Sequence, residues 1–289
     1  MWATFSAFQH AGCVFSHRWG QHHWPKHYPF CGGAFQSPID IRSELLRFDP
    51  TLQAIEVRNY NLSATEQLTL GNNGHSCEYT SFFHLYFNPS RLTKPFNEGT
   101  QLHFHWGSSN RPAGSEHMIL TCISLLSQMH VVHFNSDKYP NISMAVDKSD
   151  GLAVLGVLIE VGEFNPAFEH FLRFINGIKY RGEFKVIFYY TLLPARLDEY
   201  YRYDGSLTTP PCYPSVLWTL FRNPVTISPT AIYSSHAQES VPVPMNGNYR
   251  KPQLPDSRLV LVSFKEGKCG LQNGLAYYWR MMSKFSLVV

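Results

Sequence analysis

The sequence predicts one β-dominated domain with few helices. Short strand-like runs recur along the chain, turn residues separate many of them, and helical periodicity is rare. The 289 residues suffice for one large domain or two small ones, so length alone does not decide the number of domains. No repeat, low-complexity linker or break in composition divides the chain between about residue 20 and residue 265, which favours a single domain.

Seven segments have the length and composition of strands. They are residues 55–58, 68–70, 101–106, 129–134, 152–161, 215–221 and 258–264. Turn signals such as Asn72-Asn73-Gly74, Asn88-Pro89 and Pro210-Pro211 separate many of them. Segment 152–161 is nearly all apolar and predicts a central strand covered on both faces. One helix is predicted over 166–178, after the start signal Asn165-Pro166.

Composition narrows the class of function. Hydrophobic residues make up 44% of the chain and aromatic residues 15%, enough for a sizeable core. The net charge is +3 without a run of Lys or Arg, which argues against nucleic acid or an acidic membrane as the main partner. No window approaches eighteen apolar residues, so no membrane span is predicted. The fourteen histidines suggest proton or metal chemistry.

Two histidines share one face of a predicted strand. In "LHFHWG", His103 and His105 are two residues apart, so their side chains project to the same side. They are either ordinary buried or surface histidines or two ligands of a metal. His130 and His133 lie on another predicted strand and face opposite sides, so only one of them can complete a site, and spacing does not say which. Three imidazoles would leave a fourth zinc position open for water, as in catalytic sites.

A stiff threonine loop is the second candidate feature. In "YDGSLTTPPC", Thr208 and Thr209 precede two prolines, which restrict the loop and fix the hydroxyls. The segment is either a rigid turn or a device that accepts a hydrogen bond from a zinc-bound hydroxide and aims its lone pair. In the second case the hydroxyl needs an acceptor for its own proton, and Glu116 in "GSEH" is a candidate.

Seven motifs carry a resemblance to a known family. They are "QSPIDI", "NNGHS", "QLHFHWG", "GSEH", "GLAVLGVLIEVG", "YRYDGSLTTPPC" and "SVLWTLF". In this order they are similar to α-class carbonic anhydrases over about residues 24–264, most of all to the extracellular catalytic domains of the membrane-bound isozymes twelve and fourteen. The resemblance implies one domain over 17–265 with a large, twisted, mostly antiparallel sheet and a few short surface helices. Residues 1–16 are then an N-terminal arm and 266–289 a C-terminal tail.

The resemblance also implies roles for individual residues. His103, His105 and His130 ligate zinc, Thr208 orients the zinc-bound hydroxide and donates to Glu116, and the reaction is reversible hydration of carbon dioxide to bicarbonate and a proton. His75 is the proton shuttle, with Asn73 ordering the connecting waters. The residues implied to bind substrate are Thr208, Thr209, Val132, Val154, Leu207, Val216 and Trp218. His117 and His133 are expected to be structural.

The residues that support the zinc ligands include one departure from the family. Gln101 is expected to support His103, and the backbone carbonyl of Asn248 to support His105. Gln128 stands where the family usually has a glutamate that supports the third ligand. Loss of such a partner typically costs on the order of 10–100-fold in metal affinity or activity, so weakened zinc retention is predicted.

Further implications concern the setting of the protein. The resemblance implies a Cys31–Cys212 disulfide, and the sequons at Asn61 and Asn141 are candidate glycosylation sites. Together they predict an extracellular or cell-surface protein, although the N-terminus matches a signal peptide poorly. The expected partners are carbon dioxide and bicarbonate, with no nucleic acid and with a homodimer left open. The alternative function is a catalytically impaired, carbonic-anhydrase-like binding or adhesion module.

Overall fold

The computed structural model describes ten segments of the chain. They are residues 20–58, 67–73, 76–83, 86–88, 98–107, 113–119, 127–169, 184–188, 192–228 and 247–265. The predicted N-terminal arm and C-terminal tail, His75 and Asn61 lie outside these residues.

Strands dominate the described residues. The strands are β1 (Asp40–Ile41), β2 (Leu46–Phe48), β3 (Glu56–Arg58), β4 (Gln67–Asn72), β5 (Cys77–Phe83), β6 (Tyr86–Asn88), β7 (Glu98–Trp106), β8 (Met118–Ile119), β9 (Ser127–Phe134), β10 (Leu152–Val161), β11 (Phe184–Phe188), β12 (Tyr200–Gly205), β13 (Val216–Phe221), β14 (Val225–Ile227) and β15 (Val260–Val262). The structure also has two short α-helices, α1 (Trp24–His27) and α2 (Ile142–Ala145), and the 3-10 turns Gln21–His23, Pro29–Gly32 and Ser43–Leu45. The predicted helix over 166–178 is helical in its described part, 166–169. No described helix is long and apolar enough to cross a membrane.

Eleven of the described strands form one central sheet. Its order is β11-β4-β5-β7-β9-β10-β13-β12-β15-β2, with β14 paired to β10. Most neighbouring strands are antiparallel, while β10 runs parallel to β13 and β14, and β15 runs parallel to β2. The predicted β-dominated, mostly antiparallel fold is therefore confirmed. All seven predicted strand segments overlap strands of the structure.

The sheet separates two hydrophobic clusters, and alternation along β9 and β10 divides the residues between them. Met129 and Val131 of β9 belong to one cluster, and Val132 and Phe134 to the other. Strand β10 contributes to both clusters, which confirms the prediction of a central strand covered on both faces. Because side chains alternate, His130 faces the side of Val132, whereas His133 faces the side of Val131.

Candidate metal centre

Three histidines meet on one face of the sheet. His103 and His105 lie on β7, and His130 lies directly opposite His103 on the antiparallel neighbour β9. The potential ligand atoms of the three rings all lie within 4.8 Å of one another. His133 has the opposite parity on β9, so the register assigns His130 to the cluster.

The geometry of the cluster fits a tetrahedral metal ion. Nδ1 of His130 lies 3.3 Å from Nε2 of His103. Two nitrogens at about 2.05 Å from zinc on tetrahedral corners would be separated by roughly 3.3–3.4 Å. Burial lowers the pKa of His103 and of His130 well below the usual value, which keeps both rings neutral and able to donate lone pairs. Nε2 of His105 is buried and has no hydrogen-bond partner among the described residues, as expected of a ligand atom.

Asn248 anchors His105 to the adjoining chain segment. Nδ1 of His105 donates to the backbone carbonyl of Asn248 at 2.7 Å, which leaves Nε2 for a metal. The Asn248 side chain is held in turn, because it accepts from the Trp106 N–H at 2.7 Å and donates to the Phe104 carbonyl at 2.9 Å. This arrangement places Asn248 where the sequence predicts it.

The amide of Gln128 is bound to His117. Its Oε1 accepts from the His117 backbone N–H at 3.0 Å, and its Nε2 lies 3.1 Å from Nδ1 of the same residue. Burial lowers the pKa of His117 to about 3, so the ring is neutral. Nε2 of the His117 ring lies 2.6 Å from the Tyr203 hydroxyl. Meanwhile Nε2 of His130 is buried without a hydrogen-bond partner among the described residues.

Gln101 contacts a residue that sequence reasoning missed. Its amide nitrogen donates to the carboxylate of Glu78, which lies on β5. Burial raises the pKa of Glu78, and hydrogen bonds from Gln101 and Asn73 oppose that shift. Nδ1 of His103, the atom that Gln101 was expected to support, is buried and has no hydrogen-bond partner in the described segments.

Glu116 lies beside the histidine cluster and is fully buried. One of its oxygens is 3.4 Å from Nδ1 of His105, and the same oxygen accepts from the Arg250 backbone N–H at 2.8 Å. Burial raises the pKa of Glu116, while the neighbouring His105 ring and hydrogen bonds from the Arg250 backbone and the Thr208 hydroxyl act in the opposite direction. Thr208 and Glu116 are thus brought together beside the cluster.

A disulfide ties the threonine loop to the segment around Cys31, and Arg250 holds that segment. The predicted Cys31–Cys212 disulfide is confirmed, and it joins residues 181 positions apart. The buried guanidinium of Arg250 donates to the Cys31 carbonyl at 2.9 Å and to the Ser37 carbonyl at 2.8 Å. Arg250 therefore contacts Glu116 through its backbone and the disulfide segment through its side chain, which sequence reasoning did not foresee.

Apolar residues surround the cluster on the same face. Val132, Val154 and Trp218 are opposite one another on β9, β10 and β13. The Trp218 ring centroid lies 4.8 Å from that of His130. The predicted substrate-contacting residues in this hydrophobic cluster are Val132, Val154, Leu207, Val216 and Trp218. Thr209 is half-buried, next to the buried Thr208.

The remaining predicted residues are more distant or exposed. Asn73 follows β4, and its Oδ1 accepts from the Ser76 N–H at 2.7 Å. Asn141 is exposed and caps α2 by accepting from the Met144 N–H at 3.1 Å. His75 and Asn61 lie outside the described residues.

The fold and the site together define a protein with a large mixed sheet, on which three histidines are positioned to hold a metal ion. A family model described as eukaryotic-type carbonic anhydrase matches residues 19–264. The chain is 45% identical over 269 residues to carbonic anhydrase 12 of Homo sapiens, which covers 89% of this chain and 74% of that protein. It is 36% identical over 261 residues to carbonic anhydrase 1 of Mus musculus, covering 85% of this chain and 95% of the relative. It is 33% identical over 273 residues to carbonic anhydrase 6 of Homo sapiens, and the match covers 89% of this chain and 84% of that relative.

The chain belongs to the carbonic anhydrase family. This confirms the predicted enzyme class and the predicted resemblance. The family is zinc-dependent, and the three histidines are positioned to hold a metal ion, which confirms zinc as the expected cofactor.

Proposed function

We propose that this chain catalyses the reversible, zinc-dependent hydration of carbon dioxide to bicarbonate and a proton. The observation that carries the proposal is the convergence of His103, His105 and His130, whose ligand atoms lie within 4.8 Å of one another on one face of the sheet. Zinc held by three imidazoles supplies a nucleophile at neutral pH, because it lowers the pKa of a coordinated water to about 7.

Thr208 and Glu116 orient the reacting oxygen. The hydroxyl of Thr208 donates to Glu116, so its own oxygen is left as an acceptor and selects the direction of the attacking lone pair. The contact between the two side chains supports this role, as does the Arg250 N–H that holds the carboxylate at 2.8 Å. Fixing these donors and acceptors before the reaction avoids reorganisation during it.

The apolar wall binds the uncharged substrate. Carbon dioxide has no net charge or dipole, and an apolar surface excludes competing water. This assignment is supported by a cluster of five residues, Val132, Val154, Leu207, Val216 and Trp218. Thr209 lies on the polar side of the proposed site. We expect His75 to pass the released proton to buffer, because the ordinary pKa of an imidazole lies near 6.5, and Asn73 to help order the connecting water.

Gln128 weakens the hold on zinc. A ligand imidazole normally donates its outer N–H to an acceptor, and loss of that acceptor costs about 10–100-fold in metal affinity or activity. The contacts of the Gln128 amide with His117 support this role, together with the unpartnered Nε2 of His130. The same observation favours the second candidate function, a module of this family with impaired catalysis.

An oxidising, extracellular or cell-surface setting is part of the proposal. The Cys31–Cys212 disulfide supports it, because such bonds persist outside the reducing cytosol. Asn141 is exposed and uses only its oxygen to cap α2, which leaves the amide nitrogen free to carry a glycan. Glycosylation at Asn61 and assembly as a homodimer stay predictions.

Stopped-flow hydration of carbon dioxide, with zinc quantified in the same sample, tests the function. The proposal requires hydration well above the buffer rate in proportion to bound zinc. Zinc-loaded chain without hydration would instead support the impaired module.

A further inference from the structure

We propose that Glu78 is a positioning residue that loosens the metal centre by holding the Gln101 amide away from His103. The inference rests on the proposed function, because it takes His103 as a zinc ligand. It concerns a contact between β5 and β7 and is independent of Gln128, which lies on β9.

The register of the sheet brings the three side chains to one face. Glu78 on β5 is directly opposite His103 on β7, and Gln101 is two residues before His103. Residues two apart on a strand project to the same side, and a diagonal cross-strand neighbour is within reach of a long side chain. The Glu78 carboxylate is therefore within reach of the Gln101 amide nitrogen and can set the orientation of that amide.

The observed contacts show Gln101 bound to Glu78. Nε2 of Gln101 donates to Oε2 of Glu78. A second amide, that of Asn73, also hydrogen-bonds to Glu78. The Ser76 N–H at 2.7 Å occupies the oxygen of Asn73, so its nitrogen is the end that faces the carboxylate. Two amides thus hold the carboxylate in place.

This arrangement leaves His103 without support. The amide of Gln101 is planar, so fixing its nitrogen on Glu78 also fixes the direction of its oxygen. Nδ1 of His103 is buried and has no hydrogen-bond partner among the described residues. A hydrogen bond to a carboxylate is roughly twice as strong as one between neutral groups, so the amide keeps the orientation that Glu78 sets, and in that orientation its oxygen does not accept from Nδ1 of His103.

The consequence concerns metal retention. When zinc occupies Nε2 of His103, the N–H at Nδ1 needs an acceptor that fixes the ring orientation. Without one, the ring leaves its binding orientation more easily, and zinc dissociates faster. Removing Glu78 frees the Gln101 amide to turn its oxygen towards Nδ1.

The rate of zinc loss to a coloured chelator tests the proposal in the full-length, zinc-loaded chain. Gln101→Leu should leave the rate within about twofold of wild type, because Gln101 does not support His103. Glu78→Leu should slow zinc loss by about tenfold, because the freed amide supports the ring. In the Gln101→Leu background, Glu78→Leu should have no effect. Glu44→Leu, at an exposed position in the 3-10 turn Ser43–Leu45, is the matched control.

Three results would overturn the proposal. Zinc loss accelerated 10-fold or more by Gln101→Leu would show that Gln101 already supports His103. Unchanged or faster loss in Glu78→Leu would show that Glu78 does not hold the amide away from His103, and equal slowing in both backgrounds would indicate a direct effect of charge. If Glu78→Leu does not fold, the Gln101→Leu result decides alone. A wild-type chain that takes up no zinc would overturn the proposed function as well, whereas normal uptake with the wrong variant response overturns only this inference.

Discussion

Gln128 and His117 contact each other through four atoms. The backbone N–H of His117 donates to the amide oxygen of Gln128 at 3.0 Å, and the amide nitrogen lies 3.1 Å from the imidazole Nδ1. Both the acceptor oxygen and the donor nitrogen of the amide thus face His117. Nε2 of His130 is buried and has no hydrogen-bond partner among the described residues.

Gln128→Glu should slow zinc dissociation by about 10–100-fold. A carboxylate has two acceptor oxygens, so one can keep the His117 N–H while the other accepts from Nε2 of His130. Zinc remaining after timed dialysis against a chelator measures the effect. Gln53→Glu adds the same charge at an exposed site and should behave as wild type. Equal retention in wild type and Gln128→Glu would contradict the assigned role of Gln128.

Glu116→Gln should lower the rate of carbon dioxide hydration by about 100-fold or more without loss of bound zinc. The neutral amide can turn a donor towards Thr208, which then no longer presents its oxygen as the acceptor for the attacking group. Stopped-flow rates per bound zinc are compared with those of Glu163→Gln, an exposed control. A fall of less than tenfold would exclude Glu116 from orienting Thr208.

Loss of the Cys31–Cys212 disulfide should lower the free energy of unfolding by about 3–5 kcal/mol, because the bond closes a very long loop in the unfolded chain. Urea unfolding of the double variant Cys31→Ser/Cys212→Ser gives the difference. Adding reductant should destabilise wild type to a similar extent and leave the double variant unchanged. A wild type that resists unfolding equally with and without reductant would contradict this contribution.

His133 should be one of the buried histidines that lower stability in mild acid. Burial lowers the pKa of this residue to about 4, against an ordinary value of 6.5. Between these two pH values the unfolded chain binds more protons than the folded chain, so the free energy of unfolding decreases as the pH decreases. For one such group the loss is about 2 kcal/mol from pH 6.5 to pH 5.

Urea unfolding of His133→Gln at pH 7.5 and pH 5.0 checks this contribution. The variant should lose less stability than wild type over that interval, since its side chain does not titrate. His22→Gln, at an exposed position, should retain the wild-type difference. An unchanged pH dependence in His133→Gln would show that His133 is not the responsible group.

Local periodicity predicted the parts of the site that lie within one strand. The two-residue spacing of His103 and His105 placed both rings on one face, and the apolar run of β10 indicated a strand buried on both sides. The choice between His130 and His133 needed the pairing of β7 with β9, which spacing within one strand does not contain.

Contacts between distant segments explain what the sequence could not predict. The polar residues of β5 obscured the strand that carries Glu78, and without that strand its position opposite His103 could not be foreseen. Arg250 reaches Cys31 over more than two hundred residues, and no local pattern encodes such a contact. Gln128 was identified as a departure, but only tertiary packing shows that His117 takes its amide.

Zinc titration of the stripped protein is the most direct measurement. Chain freed of metal by a chelator is supplied with increasing zinc, and carbon dioxide hydration and bound zinc are recorded at each addition. Hydration should rise in proportion to bound zinc and stop rising at one ion per chain. His103→Ala should abolish both hydration and zinc binding. Full occupancy without hydration, or hydration that does not depend on zinc, would contradict catalysis at these three histidines.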